Sequence, residues 1–347
     1  QEEPDKKTRG IISLAQKFEI GGKADARVSL ASANIFLAEN QLIETWSALR
    51  AEIKEAFVRA EYARLNASLA KRIAQADQDR LELVTGLFKV GKASEAQTLK
   101  LTRQAARSKA ISDQSQSIID DAQRVLMIAI GQQPTTKPPK FVCSLDVKSP
   151  LSDQFDSLLK AANTSNPQLK TAAAQTAVAQ AQLRLARTKR WSDLTVGMSY
   201  FQTDYRQGAD DGGAVLINFS APLPIWDRNQ GNIASAAQNI KASQRQRELA
   251  ALQAARQLSQ LFSQRQRWKV DLDALDKKII PASKRELKLI RSSLDSGKVS
   301  KLDEIKQRRE LIALDLQKLE LQLMTAVATI ELENIAGLTV QSAGAAR

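Results

Sequence analysis

The feature that most constrains the fold is a helical pattern that runs from Gly22 to about Val90 without a proline. At about 1.5 Å per residue such a helix extends about 100 Å, which exceeds the diameter of a small domain. We therefore predict that it lies in a coiled coil or a tube of helices. Its apolar residues recur at spacings of three and four, as in Leu37, Ile43, Trp46, Leu49, Ile53, Phe57 and Val58.

The residue inventory argues against an enzyme. The chain has no histidine, the commonest general base and metal ligand, and Cys143 is its only cysteine. We expect the acidic residues to lie on solvated helix faces or in turns. We therefore expect no catalytic residue, no metal site and no cofactor.

The formal charge of +13 comes from 51 basic and 38 acidic residues. The basic residues are scattered among Glu, Asp and Gln along helices, which favours solvated helix faces over a nucleic-acid surface. A soluble basic coiled-coil scaffold or nucleic-acid-binding protein stays open as the alternative.

The periodicity changes to two in the middle of the chain. Leu194, Val196, Met198 and Tyr200 alternate with small or polar residues over 193–200, and Val215, Ile217 and Phe219 do so over 214–223. A polar turn, 204–213, separates these two predicted strands. One apolar face and one polar face are typical of strands that cross a membrane around water, although a soluble hairpin packed on helices has the same pattern. No stretch of 18 apolar residues is present, so we expect no transmembrane helix.

The two halves of the chain repeat at an offset of about 205 residues. Each half has a strand, a long helix, a turn with the pattern Gly-Lys-x-Ser and a returning helix. The turns are Gly91 to Ser94 and Gly297 to Ser300. The returning helices end near Gly131 and Gly337. Duplicated units of this kind build tubes and solenoids.

Two junction motifs are specific. Phe18-Glu19-Ile20-Gly21-Gly22-Lys23 leads into the first long helix, and Pro222-Leu223-Pro224-Ile225-Trp226-Asp227-Arg228-Asn229-Gln230-Gly231 leads into the second. With the repeat, these motifs resemble the TolC-type outer-membrane factors, and most closely the cobalt–zinc–cadmium resistance subgroup. The resemblance covers about residues 10–337.

The resemblance implies a mainly α fold, with long antiparallel coiled-coil helices forming an α-barrel tunnel and a β-hairpin contributing to a small membrane β-barrel. It implies a homotrimer in the outer membrane of a Gram-negative bacterium, most of the chain lying in the periplasm. Outer-membrane lipid, a periplasmic adaptor and an inner-membrane pump would be its partners. The duct would be a passive conduit for the export of small solutes, and the resemblance to the metal-resistance subgroup suggests heavy-metal cations among them. A periplasmic adaptor is disfavoured because no lipoyl-like β domain is evident.

The resemblance also implies functional positions. Gly91, Ser94, Gly297 and Ser300 would form the periplasmic tips that contact the adaptor. Asp303 would form the pore constriction. Gln97 is its equivalent in the first repeat, and Lys306 occupies a position that is acidic in some relatives.

We expect a division into seven segments. Since relatives begin with a helix pair and a strand before the region where this chain starts, we also expect an N-terminally truncated copy. The segments are a partial first membrane β segment (1–20), a first helical hairpin (21–131), an equatorial connector (132–165), a helix leading to the barrel (166–192), a β-hairpin (193–224), a second helical hairpin (225–337) and a disordered tail (338–347).

Overall fold

The computed structural model describes residues 11–136, 138–139, 141, 144–147, 149–203 and 212–338. Most of the described chain is helical. Cys143, most of the predicted turn 204–213 and nearly all of the predicted tail lie outside the described residues. The elements in chain order are β1 (Ile11–Phe18), α1 (Lys23–Lys89), α2 (Glu95–Ala129), α3 (Phe155–Ser165), α4 (Pro167–Thr188), β2 (Leu194–Thr203), β3 (Gly212–Ser220), α5 (Gln230–Ala274), a π-helical turn (Leu275–Ile279), α6 (Ile280–Asp295) and α7 (Lys301–Ile335).

The chain divides into two compact units. Unit 1 comprises Gln1–Leu42 and Gln168–Ala250, and unit 2 comprises Ile43–Pro167 and Ala251–Arg347. Each unit therefore joins segments from both halves of the sequence, as a duplicated chain with interleaved halves requires.

Unit 1 contains a three-stranded antiparallel sheet in the order β1-β2-β3. Its register brings the predicted apolar residues together across the strands, which confirms the period-two interpretation. The paired apolar residues are Ile12 and Tyr200, Leu14 and Met198, Phe18 and Leu194, Val196 and Phe219, Met198 and Ile217, and Tyr200 and Val215.

The opposite face of the sheet carries mostly small and polar residues, with Ile11 and Leu216 as exposed apolar exceptions. Ser13 and Ser199 lie across from each other, with their Oγ atoms 2.9 Å apart. A Cβ at Gly197 would lie 2.2 Å from Oδ1 of Asn218, so a residue without a side chain is needed there. This face can accept water or polar groups, whereas the other cannot.

The helical part of unit 1 is held together by small side chains. The buried face of α4 carries alanines, including Ala174, Ala181 and Ala186, and Ala26 of α1 and Ala236 of α5 are also buried. Since alanine occupies little space and favours helix, this composition permits close approach of helix backbones. It explains how a long helical protein can fold with few aromatic residues.

Unit 2 has a conventional apolar core where α3 meets α5 and α7. Leu158, Leu258 and Leu332 form its centre. Phe155 and Phe262 pack edge to face beside it, with ring centroids 5.6 Å apart. Two further clusters hold α1 against α2 and α1 against α7, around Ala60 with Leu126 and around Val58 with Ile330.

The ends of two elements have clear local causes. The predicted strand to Leu223 ends at Ser220, because Pro222 and Pro224 cannot donate to a strand ladder. α3 begins only at Phe155. The hydroxyls of Ser149 and Ser152 accept bonds from the backbone of Leu151 and Gln154, which favours turns over helix.

The helix through Pro281 continues instead of breaking. The π-helical turn Leu275–Ile279 directly precedes the proline. A π turn changes the hydrogen-bond spacing locally, so the missing proline N–H and the proline ring can be accommodated.

Candidate functional site

The two turns predicted as tips have the same backbone geometry. Gly91 and Gly297 adopt the left-handed conformation, with φ of 71° and 69°. Each turn carries a Schellman pair of hydrogen bonds, which satisfies carbonyls at the end of the preceding helix. The bonds are Gly91 N to Phe88 O at 2.9 Å, Lys92 N to Leu87 O at 2.8 Å, Gly297 N to Leu294 O at 2.9 Å and Lys298 N to Ser293 O at 2.9 Å.

The serine of each turn caps the following helix. Ser94 Oγ accepts a bond from Gln97 N at 3.2 Å, and Gln97 Oε1 accepts one from Ser94 N at 3.3 Å. Ser300 Oγ accepts from Asp303 N at 3.2 Å and donates to Asp303 Oδ2 at 2.7 Å. Gln97 and Asp303 therefore occupy the same position of a capping motif, which confirms their predicted equivalence. Asp303 differs in that it adds an exposed negative charge beside its turn.

The neighbouring carboxylate, Glu304, was not singled out from the sequence. It is buried, and Arg291 Nε donates to its Oε1 at 3.2 Å while Lys301 Nζ lies 2.9 Å from Oε2. Burial acts to raise the pKa of Glu304, but hydrogen bonds from Lys301 and Arg291 outweigh it and the pKa lies below its usual value. Glu304 thus joins α6 to α7, whereas Asp303 and Lys306 stay exposed.

A row of ion pairs joins α1 to α7 within unit 2. We call this row the α1–α7 seam. The sequence did not predict this seam, because the two residues of each pair are more than 200 positions apart along the chain. Its pairs are Lys54 with Glu333 at 2.5 Å, Arg72 with Asp315 at 4.0 Å, Asp77 with Arg309 at 2.6 Å, and Asp79 with Arg308.

Asp77 lies at the most buried point of the seam, with 1% of its surface exposed. Its Oδ1 accepts from Arg309 Nε at 2.6 Å and from Gln104 Nε2 of α2 at 2.8 Å. Since α1, α2 and α7 all contribute, this carboxylate ties the first helical hairpin to the last helix. A hydrogen bond from Gln75, together with Arg308, lowers the pKa of neighbouring Asp79.

The proline-rich junction motif holds the start of α5 against the end of α4 in unit 1. Asn229 is the one non-glycine residue with positive φ in the described part of the chain, at 60°. Its Nδ2 donates to Ala186 O at 2.8 Å, and its N–H donates to Asp227 Oδ1 at 2.8 Å. Ala186 lies in the last turn of α4, where helix carbonyls lack partners within the helix. The motif is therefore a structural latch.

We expect Asn229→Ala to cost about 2–3 kcal/mol, because it loses a buried carbonyl's partner and places alanine in the left-handed region. Asn229→Gly keeps the backbone conformation and loses the same side chain, so it should cost about 1 kcal/mol less. Thermal unfolding followed by far-ultraviolet circular dichroism in detergent compares the two. Equal losses would show that the backbone conformation is not the cause.

The junction between β1 and α1 is closely packed around Gly21. Gly21 has a φ of 76°, and a Cβ there would lie 2.7 Å from Cδ1 of Trp191. Lys23 pairs with Asp193, and Lys17 Nζ lies 2.6 Å from Asp193 Oδ2. Gly21 is thus required both by the turn into α1 and by the indole packed on it.

The apolar face of the sheet is exposed. Ile12 and Phe219, at its two edges, are 75% and 70% exposed, and Leu14, Met198 and Ile217 are exposed between them. A contiguous apolar surface of this kind marks a partner or lipid contact. β1 and β3 also each leave one edge without a strand partner in the described residues.

The described residues contain neither a membrane-spanning helix nor a cluster of metal-binding side chains. No helix there is both long enough and apolar enough to span a membrane. No cluster of three or more His, Cys, Asp or Glu side chains there could hold a metal ion.

The sequence comparisons point to one family. The family model described as outer membrane efflux protein matches residues 158–338. The cobalt-zinc-cadmium resistance protein CzcC of Cupriavidus metallidurans is 24% identical over 328 residues, which cover 92% of this chain and 75% of that protein. The nickel-cobalt-cadmium resistance protein NccC of Alcaligenes xylosoxydans xylosoxydans is 24% identical over 251 residues, covering 71% and 54%.

The fold comparison agrees. The outer-membrane channel OprN superimposes with a TM-score of 0.74 at 17% identity, covering 94% of this chain and 74% of OprN. Sequence, repeat and fold thus confirm the predicted mainly α architecture with a small antiparallel sheet. The chain belongs to the outer membrane efflux protein family, whose members are TolC-type channels and not enzymes.

Proposed function

We propose that this chain is one subunit of a homotrimeric outer-membrane duct, a passive conduit through which small solutes leave the cell. The observation that carries the proposal is the exposed apolar sheet face with its two open edges. In lipid every strand edge must be paired, so such a sheet is completed by copies of itself around a water-filled interior. The polar face, with Ser13, Ser199 and Asn218, would line that interior.

The proposed cargo is divalent heavy-metal cations. It rests on the names of CzcC and NccC, which are resistance proteins for cobalt, cadmium and related metals. A passive duct need not bind its cargo, and the energy would come from an inner-membrane pump reached through a periplasmic adaptor.

We place adaptor contact at Gly91, Ser94, Gly297 and Ser300, with 21–131 and 225–337 as the two helical hairpins. The two turns share their Schellman and capping geometry, so they would present two equivalent surfaces per subunit. Asp303, exposed beside the second turn, would form a threefold ring of negative charge at the constriction. Opening would shift the paired helices near these turns.

The duct itself is tested by fractionation and by conductance. The chain should be recovered in the outer membrane as a heat-sensitive trimer, and the purified trimer should give discrete conductance steps in a planar lipid bilayer. Recovery in the cytosol bound to nucleic acid would instead support the basic coiled-coil alternative and overturn the duct.

We expect Asp303→Gln to lower the cation preference of the open channel without lowering its stability. The first turn already has glutamine at the equivalent position, where Gln97 completes the cap of Ser94. The substitution therefore removes a charge and keeps a side chain compatible with the cap. Reversal potentials across a salt gradient measure the preference.

The reciprocal change, Gln97→Asp, supplies the matched control. It adds a charge at the first turn and should raise cation preference if both turns face the conduction path. A reversal potential unaltered by Asp303→Gln would contradict the assignment of Asp303 to the constriction.

A further inference from the structure

The strand-to-helix junction of unit 1 carries a surface that the duct function does not use. α4 ends at Thr188, and the chain continues through Trp191 into β2. The bond from Asn229 Nδ2 to Ala186 O, 2.8 Å long, brings the segment that follows β3 to the same place. We call this surface the junction surface and define it by Arg187, Lys189, Arg190, Trp191 and Trp226.

Its cations have no carboxylate partner among the described residues. Arg187, Lys189 and Arg190 are exposed, and none of them forms an ion pair within the part of the chain that the structure describes. Arg190 lies over the Trp191 ring, with 5.1 Å between the guanidinium carbon and the ring centroid. The nearest carboxylate along the chain, Asp193, is already paired with Lys17 and Lys23. The surface therefore keeps an uncompensated positive charge.

Of the two tryptophans of this surface, Trp226 is the more exposed, and no other large apolar side chain described is as exposed. Trp226 is 91% exposed, and Leu223 and Ile225 beside it are also exposed. An indole prefers the boundary between lipid and water because it combines a large apolar ring with one N–H donor. Exposed indoles beside arginines and a lysine that have no described carboxylate partner are suited to contact lipid headgroups.

The two ends of the hairpin differ in charge. Thr195 and Ser220 pair at the end of the hairpin that lies near the junction surface. Their other ends are joined by residues 204–211, whose charged residues are three aspartates and one arginine. Only the junction end of the hairpin thus has the sign that attracts anionic lipid.

We propose that the junction surface binds the phosphates of anionic phospholipids at the membrane surface, in preference to zwitterionic ones. This rests on the proposed placement of the sheet in a membrane. Arginine can hold two oxygens of one phosphate, and lysine adds a point charge. Trp226 would lie at the level of the headgroups. The lipid would fix the height of the sheet in the bilayer.

The test uses the full chain reconstituted in bilayers that contain brominated phosphatidylglycerol or brominated phosphatidylcholine at the same mole fraction. Trp46→Phe, Trp191→Phe and Trp268→Phe leave Trp226 as the only tryptophan, and the phenylalanine at position 191 keeps an aromatic ring beside Arg190. We expect brominated phosphatidylglycerol to quench Trp226 about twofold more than brominated phosphatidylcholine, since basic residues concentrate anionic lipid around them.

The charge requirement is tested in the same background. Arg187→Gln, Lys189→Gln and Arg190→Gln together should reduce the quenching ratio to about one. The control combines Lys100→Gln, Arg103→Gln and Lys109→Gln, which removes three exposed charges from α2 in unit 2, and it should keep the ratio.

The outcomes separate the two proposals. Equal quenching by both lipids in the protein that carries only the three tryptophan substitutions would overturn the lipid preference and leave the membrane placement intact. A control triple that lowers the ratio as far as the junction triple would also overturn it, because charge alone and not the junction would be responsible. Absence of quenching by either lipid would overturn the membrane placement and this proposal with it.

Discussion

Replacement of Arg309 with alanine is expected to destabilise the protein by about 3 kcal/mol, at the lower end of what breaking a buried ion pair costs. Asp77, with 1% of its surface exposed, would lose its cationic partner, and Gln104 would be the one donor left to it among the described residues. Its Oδ2 already lacks a hydrogen-bond partner among the described residues. Arg309 is partly exposed, so water can screen part of the pair, which is why the lower end applies.

The expected readout is a lower midpoint of thermal unfolding in detergent, with the helical signal at 222 nm as the observable. Arg245→Ala is the matched control, because Arg245 pairs with Glu248 at 2.7 Å on the exposed surface of α5. Surface pairs of this kind contribute about 0–1 kcal/mol. A loss for Arg309→Ala no larger than for Arg245→Ala would show that Asp77 does not depend on its partner.

The double variant Asp77→Asn with Arg309→Ala separates charge from packing. With the carboxylate neutralised, no uncompensated charge stays buried, and most of the stability should return. Failure of this rescue would mean that Arg309 acts through the packing of its aliphatic stem. Rescue would show that the loss in Arg309→Ala comes from the carboxylate left without a partner between α1 and α7, and not from lost packing.

Local sequence chemistry was sufficient to predict the turns and strands. The Gly-Lys-x-Ser pattern contains both the glycine that the left-handed turn needs and the serine that caps the next helix, so each signal lies within four residues. The alternation of apolar and polar residues predicted the strands for the same reason. Neighbouring side chains along one strand decide its apolar face, whereas the register between the strands was not predicted.

The contacts that could not be predicted are those between distant segments. Nothing near Asp77 in the sequence shows that Arg309 is its partner, since their pairing depends on how the two hairpins pack. Glu304 was missed for a similar reason: the pattern of α7 does not distinguish it from the exposed Asp303 beside it. Asn229 was recognised as part of a motif, but its role as a latch on Ala186 depends on where α4 ends.

Gly337→Ala is expected to be the most damaging glycine substitution in unit 2. Gly337 has a φ of 68°, and a Cβ there would lie 2.2 Å from the carbonyl oxygen of Ser165 and 2.5 Å from its carbonyl carbon. Both atoms belong to the backbone, so no side-chain rotation can relieve the clash. Asn166 Nδ2 also donates to Ile335 O at 2.9 Å, which fixes the end of α3 against the end of α7.

The repeat supplies a matched control for this substitution. Gly131 ends α2 as Gly337 ends α7, it has a φ of 79°, and a Cβ there would meet nothing within 4 Å. Gly131→Ala should therefore cost only the strain of a left-handed alanine, about 1 kcal/mol. Gly337→Ala adds the displacement of a packed backbone, so its total should reach about 3 kcal/mol or more.

Thermal unfolding in detergent measures both variants side by side. If Gly337→Ala does not fold, recovery in the membrane fraction relative to Gly131→Ala gives the same comparison. Equal effects of the two substitutions would contradict the close packing of α7 on α3, because strain alone is common to both. A larger effect at Gly337 would mean that the second repeat has acquired a contact that the first repeat lacks. Duplicated hairpins with the same turn geometry would then differ in what holds their returning helices in place.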